Sequence, residues 1–348
     1  MIVLKGALVF VFCVVFRPGS CGEGPGDESG ESSESQDDTE ASKQRNVETS
    51  GEMVDTVKWP FSENGYQPNE IQSPIKFKTS LAKQKSLPQL VIYEPQNRDV
   101  EAVCKNTGTT VQVYIEEEGV QHKPFLEGGP LNHRFYFEQM HFHWGNRDNK
   151  GSEHVVDDHY YSAEIHLVHY NGKYSNFQEA MKKGDGLAVL TVFAEEEEGD
   201  NALLDPLKDV IKQIINPEMT YKLHWEKAMK WVLKAIEDNK NYYTYPGSLT
   251  TPPYSQNVAF IVLTKPVGIS SVQIAEFRSL HDARFHEIKA NRRSTQPFND
   301  RPIFKGSMKI IPTGSWNGIA IKNLKKCIPF GNLDGLLQFI TSKLFTWK

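Results

Sequence analysis

The chain has 348 residues, 39% of them hydrophobic and 24% charged, with a formal net charge of -5. This suits a soluble globular protein with room for one large domain or two ordinary ones. It excludes a chain too small for its own core and a strongly basic one, so no nucleic-acid partner is expected.

Residues 2–16 (IVLKGALVFVFCVVF) are apolar apart from Lys5, and Arg17, Pro18 and the small residues Gly19, Ser20 and Gly22 follow. That pattern predicts a signal peptide over residues 1–22, cut near Gly22, and hence a secreted, extracellular protein. A membrane anchor would require roughly 20 apolar residues, more than this run supplies. Of four cysteines, Cys13 lies in the signal and Cys21 beside the cut, which leaves Cys104 and Cys327. In an oxidising compartment these two could pair, or stand as one buried and one exposed thiol.

Residues 22–42 hold eight carboxylates (Glu23, Asp27, Glu28, Glu31, Glu34, Asp37, Asp38, Glu40) and no Lys or Arg, so the acidity of the chain resides in a tail. With almost no apolar side chains to offset its ordering entropy, the segment 23–56 is expected to be disordered. It reads either as a solvated spacer or as a binder of calcium or a carbonate mineral surface.

From about Val57 to Phe304 short apolar runs alternate with Gly and Pro, as in Leu187–Phe193 and Val258–Leu263. They predict a mainly β domain with peripheral helices over residues 57–305. Helical spacing is read at Leu203–Ile215, and at Ser270–Leu280, where Ser270 and Gln273 form a capping-box pattern. The remaining 306–348 is a basic extension with six Lys and one acid, Asp334. Its Leu333, Leu336, Leu337, Ile340 and Leu344 share one helical face, which predicts a docked terminal helix. Gln338 and Lys343 break the tail too often for a lipid-anchor signal, so membrane attachment is not expected.

The run Phe137–Trp144 (FEQMHFHW), read as a strand, puts Gln139, His141 and His143 on one face. In Ala163–His169 (AEIHLVH) the same alternation groups Glu164, His166 and Val168, and the residues between the two runs suffice for an antiparallel return. Three neutral imidazoles from adjacent strands would hold a metal ion and leave a fourth tetrahedral position open, as catalytic zinc sites do. A lone His in a strand is ordinarily a core residue. Here Gln139 and Glu164 share the ligand faces, where they could accept the spare ring N–H of each His. His154 and His169 break the alternation and are read as hydrogen-bonded core residues.

The strings QMHFHWG, GSEH, AEIHLVH and YPGSLTTPP, with QSPI at Gln72, GLAVL at Gly186 and NRRSTQP at Asn291, resemble an α-class carbonic anhydrase from about Trp59 to Phe304. The resemblance implies a single domain on a large twisted, mostly antiparallel sheet, with Zn²⁺ at the bottom of a cone-shaped cleft. It implies reversible hydration of carbon dioxide to bicarbonate by a zinc-bound hydroxide. His141, His143 and His166 would be the ligands, Gln139 the acceptor for His141 and Glu164 that for His166, with the Asn291 carbonyl serving His143. Thr250 would accept a hydrogen bond from the hydroxide and donate its own to Glu153, so that the pair orients the nucleophile, and Thr251 would contact bicarbonate. Val168, Val189, Leu249 and Val258 match the apolar wall that receives carbon dioxide.

The match departs where fast members carry a proton-relay histidine, because that position is Thr109 here. Threonine cannot carry the proton, so an active enzyme limited by proton transfer is expected. Phe61 and Phe260 replace an expected tyrosine and tryptophan, Thr107 and Gln112 fall on the hydrophilic wall, and His122 reads as a surface residue or a substitute relay. Some relatives of this kind survive as binding modules without zinc. A binding or biomineral matrix role with little catalysis is therefore the alternative.

Overall fold

The computed structural model describes residues 70–95, 99–116 and 123–312. The expected signal peptide, acidic segment and terminal helix lie outside the described residues, as do Phe61, His122 and Cys327.

A thirteen-strand mixed sheet dominates the described residues. Most neighbours are antiparallel, with parallel pairing where Leu187–Glu196 meets Val258–Val262 and where Phe304–Ile311 meets Leu90–Tyr93. At the centre, every residue of Val258–Val262 and of the Leu187–Phe193 part of its neighbour is buried, which explains why these strands read as continuous apolar runs. One face of the sheet joins the helices in a large core that includes Trp144, Leu190, Trp231 and Phe277. The opposite face carries a smaller cluster that includes Val168, Val189, Tyr245, Val258 and Phe260. The functional residues lie on this second face.

The helix expected at Leu203–Ile215 is shorter, Asp205–Ile211, with a proline in its first turn. The second runs Ser271–Arg278 and has both capping-box bonds: Ser270 Oγ accepts from Gln273 N at 3.0 Å, and Gln273 Oε1 from Ser270 N at 3.2 Å. The longest helix, Trp225–Asp238, was not anticipated. Its buried Trp225, Ala228, Met229, Trp231, Val232, Ala235 and Ile236 recur at helical spacing. The Phe304–Ile311 strand runs beyond the domain edge expected at Lys305, because it pairs with both Asn241–Gly247 and Leu90–Tyr93. Cys104 has no disulfide partner among the described residues and is sealed in the large core, where burial pushes its pKa up to about 12.

Candidate metal centre

Strand alternation builds the site. Phe135–Trp144 and Ala163–Asn171 pair antiparallel with His141 opposite His166 and His143 opposite Glu164. Three imidazoles thus meet across one strand boundary, with ring centroids 4.9 Å (His141–His143), 5.3 Å (His141–His166) and 4.7 Å (His143–His166) apart. One nitrogen from each lies within 4.8 Å of the others, close enough to share a metal ion.

The second nitrogen of each ring is already engaged. His141 Nδ1 donates to Gln139 Oε1 at 2.9 Å, His143 Nδ1 faces the Asn291 carbonyl at 3.4 Å, and His166 Nε2 donates to Glu164 Oε1 at 2.6 Å. Those bonds select tautomers that leave Nε2 of His141, Nε2 of His143 and Nδ1 of His166 with lone pairs. His143 Nε2 is buried without a hydrogen-bond partner among the described residues. An orphaned buried nitrogen beside two other lone pairs suits a zinc ion, whose catalytic sites take three protein ligands, three histidines being one of the known sets.

Burial, and then the neighbouring His143 and His166, hold the His141 pKa well below the usual histidine range. Burial lowers His143 as well. Burial also opposes the charged form of His166, but its bond to the Glu164 carboxylate wins and raises it, making it the most basic of the three donors. Glu164 is held well below the carboxylate range although burial pushes the other way, because His154 and His166 both face it.

A second cluster, His154, Glu164 and His166, has a similar spacing but no nitrogen to spare on His154. His154 Nδ1 bonds Glu164 Oε1 at 2.6 Å and Nε2 bonds the Tyr245 hydroxyl at 2.5 Å. Tyr245 in turn meets Ser73 Oγ at 3.0 Å, and Glu164 Oε2 accepts from the backbone N–H groups of Glu153 and His154 at 2.9 and 2.7 Å. His154 is buried, as a core residue should be, but it also clamps the carboxylate that orients His166. Its relation to Tyr245 and Ser73, far away in sequence, carries no local signal.

Glu153 is buried, with Oε1 accepting from the Arg293 backbone N–H at 2.8 Å and Oε2 without a partner among the described residues. Thr250 is buried in the turn after the Asn241–Gly247 strand, and Thr251 is exposed beside it. Val168 pairs with Val189, Leu187 with Val258, and Leu249 packs against the same cluster, so the four residues read as an apolar wall lie together. Phe260 is part of that cluster, in edge contact with His166 at 5.9 Å. Gln112 pairs with His141, and Thr109 sits on the adjoining turn, its hydroxyl 3.0 Å from that of Thr107.

The family model for eukaryotic-type carbonic anhydrase matches residues 55–307. Among curated relatives, carbonic anhydrase 7 of Mus musculus is 36% identical over 249 residues, covering 67% of this chain and 87% of that protein. Carbonic anhydrase 1 of Monodelphis domestica is also 36% identical, covering 68% and 89%. Carbonic anhydrase 7 of Homo sapiens is 39% identical over 207 residues, covering 57% and 74%. The chain belongs to the eukaryotic-type carbonic anhydrase family. It is a carbonic anhydrase, with carbon dioxide and bicarbonate as substrate and product.

Proposed function

We propose that the chain hydrates carbon dioxide with a zinc ion held by His141, His143 and His166, and that proton export limits its turnover. The observation that carries this reading is the convergence of three ring nitrogens whose partner nitrogens are already bonded.

Zinc, when bound, supplies the acidity that brings hydroxide within reach at neutral pH, lowering a water pKa of 15.7 to about 7, a figure known from carbonic anhydrase itself. The chain's own residues do the rest. Neutral imidazoles leave the charge of the ion undiminished, which thiolates would not. Glu153, its Oε1 fixed by the Arg293 N–H, has Oε2 available to accept a hydrogen bond from the Thr250 hydroxyl. Thr250 Oγ1 then serves only as an acceptor toward the nucleophile and fixes its direction. Val168, Val189, Leu249 and Val258 exclude water from the approach of an apolar substrate. Thr251 stands where the product anion leaves. Thr107, Thr109 and Gln112, the residues read onto the hydrophilic wall, do not titrate near neutral pH, so buffer is expected to collect the departing proton.

The test is stopped-flow hydration by the zinc-loaded protein at several buffer concentrations, with His141→Ala as control. Turnover should rise with buffer and vanish in the control. High turnover indifferent to buffer would overturn the proton-export reading, and activity surviving His141→Ala would overturn the ligand set.

The apolar run before Gly22 supports secretion, and the eight carboxylates of residues 22–42 support contact with calcium or a carbonate mineral. Deleting residues 22–42 should then abolish mineral adsorption and leave hydration unchanged. Equal adsorption by both forms would reduce the segment to a spacer.

A further inference from the structure

The strand that carries His141 and His143 loses a neighbour partway along. Val111–Tyr114 pairs with it at Tyr114–Gln139, Val113–Met140 and Gln112–His141, then ends at Val111. Past that point the backbone groups of Phe142 and Trp144 need other partners, since a buried N–H or C=O left alone is costly.

Two side chains take the place of the missing strand. Thr110 Oγ1 donates to Phe142 O at 2.6 Å, and Phe142 N lies 3.1 Å from the same hydroxyl. Asn291 Nδ2 donates to Phe142 O at 2.8 Å, and Asn291 Oδ1 accepts from Trp144 N at 2.8 Å. The Asn291 backbone N–H adds a bond to Trp144 O at 3.1 Å, so this residue grips the strand on both sides of His143. Its second amide hydrogen reaches Thr109 O at 2.9 Å, and its carbonyl faces His143 Nδ1. One amide therefore joins the ligand strand to the Thr107–Thr110 turn.

We infer that the Asn291 side chain is a positioning residue that sets His143 and the Thr107–Thr110 turn in one rigid relation. The role belongs to the side chain and is separate from the backbone carbonyl that serves His143. Asn291→Asp is the sharpest probe, because the carboxylate keeps the acceptor for Trp144 N while losing both donors and opposing the carbonyls of Thr109 and Phe142. Asn291→Ser removes the reach without adding charge, and covers the case in which the acidic variant fails to fold.

The readouts are amide hydrogen exchange, zinc dissociation followed with a chromophoric chelator, and turnover with and without Thr109→His. Exchange at Thr107 should quicken about tenfold relative to Leu190 in both variants, and at Trp144 in Asn291→Ser alone, and zinc retention should fall by about 10–100-fold, as when the partners of a metal ligand are lost. The benefit of Thr109→His, which rests on the proton-export reading, should disappear with either Asn291 variant. A folded Asn291→Asp or Asn291→Ser protein with parental exchange and zinc retention would overturn the inference. Failure of Thr109→His in the parent would instead count against the proton-export reading, and exchange and zinc retention would still decide the role of Asn291.

Discussion

Around His166 the polar atoms answer one another: Glu164 takes the ring, His154 and two backbone N–H groups, and His154 passes on to Tyr245 and Ser73. The Thr107–Thr110 turn, a strand away, is held by its own hydroxyls and by Asn291. In the first region a change of one residue strands several buried partners. In the second, the exposed Thr109 side chain meets the Thr107 hydroxyl and can be exchanged without removing a bond to the ligand strand. On the proposed reading, the departure from the fast-enzyme pattern falls at Thr109, in the second region, where its cost would be confined to proton export.

Replacing residues in the buried region should have the largest effects. His166→Ala removes one of three donors and should reduce both zinc content and hydration to background, as measured by metal analysis and stopped flow. Thr250→Val or Glu153→Gln should retain zinc but lose about 10²-fold in kcat/KM, the lower end of what a positioned proton-transfer group contributes. An equal loss of zinc in these variants would mean that they act on the metal centre and not on the nucleophile. At the turn, Thr109→His should raise turnover at low buffer by about tenfold, less than the ~10²–10⁴ of an optimally placed acid or base, with little change at high buffer. A similar gain at every buffer concentration would erase the distinction between the two regions.

The same contrast governs what could be read from the sequence. His141, His143 and His166 were legible because a strand repeats every second residue, and Gln139 and Glu164 share the ligand faces for the same reason. Thr109 is placed on the relay position only by resemblance to the family strings, and its role belongs to the proposal. Arg293 was not assigned a role, because its backbone N–H holds Glu153 and a backbone donor leaves no mark on residue type. The Asn291 side chain was likewise hidden: its partners are the backbones of Thr109, Phe142 and Trp144. The Trp225–Asp238 helix has a different explanation. Its apolar positions follow helical spacing, but it starts directly after the Thr220–His224 strand, where the chain still has the texture of short β runs.

The effect most remote from catalysis compares two histidines that both lie buried on or beside the ligand strands. His154 faces a carboxylate, whereas His169 has the Leu167 carbonyl at 2.8 Å and the edge of the Phe137 ring. Burial lowers the His169 pKa to about 3, only partly opposed by the Leu167 carbonyl, against ~6.5 in an unfolded chain. Between those values the unfolded state binds a proton that the native state refuses, so stability must fall as pH drops from about 6.5 toward 3. This residue alone contributes up to ~1.4 kcal/mol per pH unit in that window. His169→Gln can keep a donor for the Leu167 carbonyl and cannot titrate. Urea unfolding of both proteins with zinc present, at pH 7, 6 and 5, should show the parent losing stability faster than the variant as the pH falls. Parallel losses would mean that His169 takes up a proton in the native state. Burial on this strand would then be less complete than around His166, and the contrast between a fully answered network and its neighbours would have to be redrawn within the core itself.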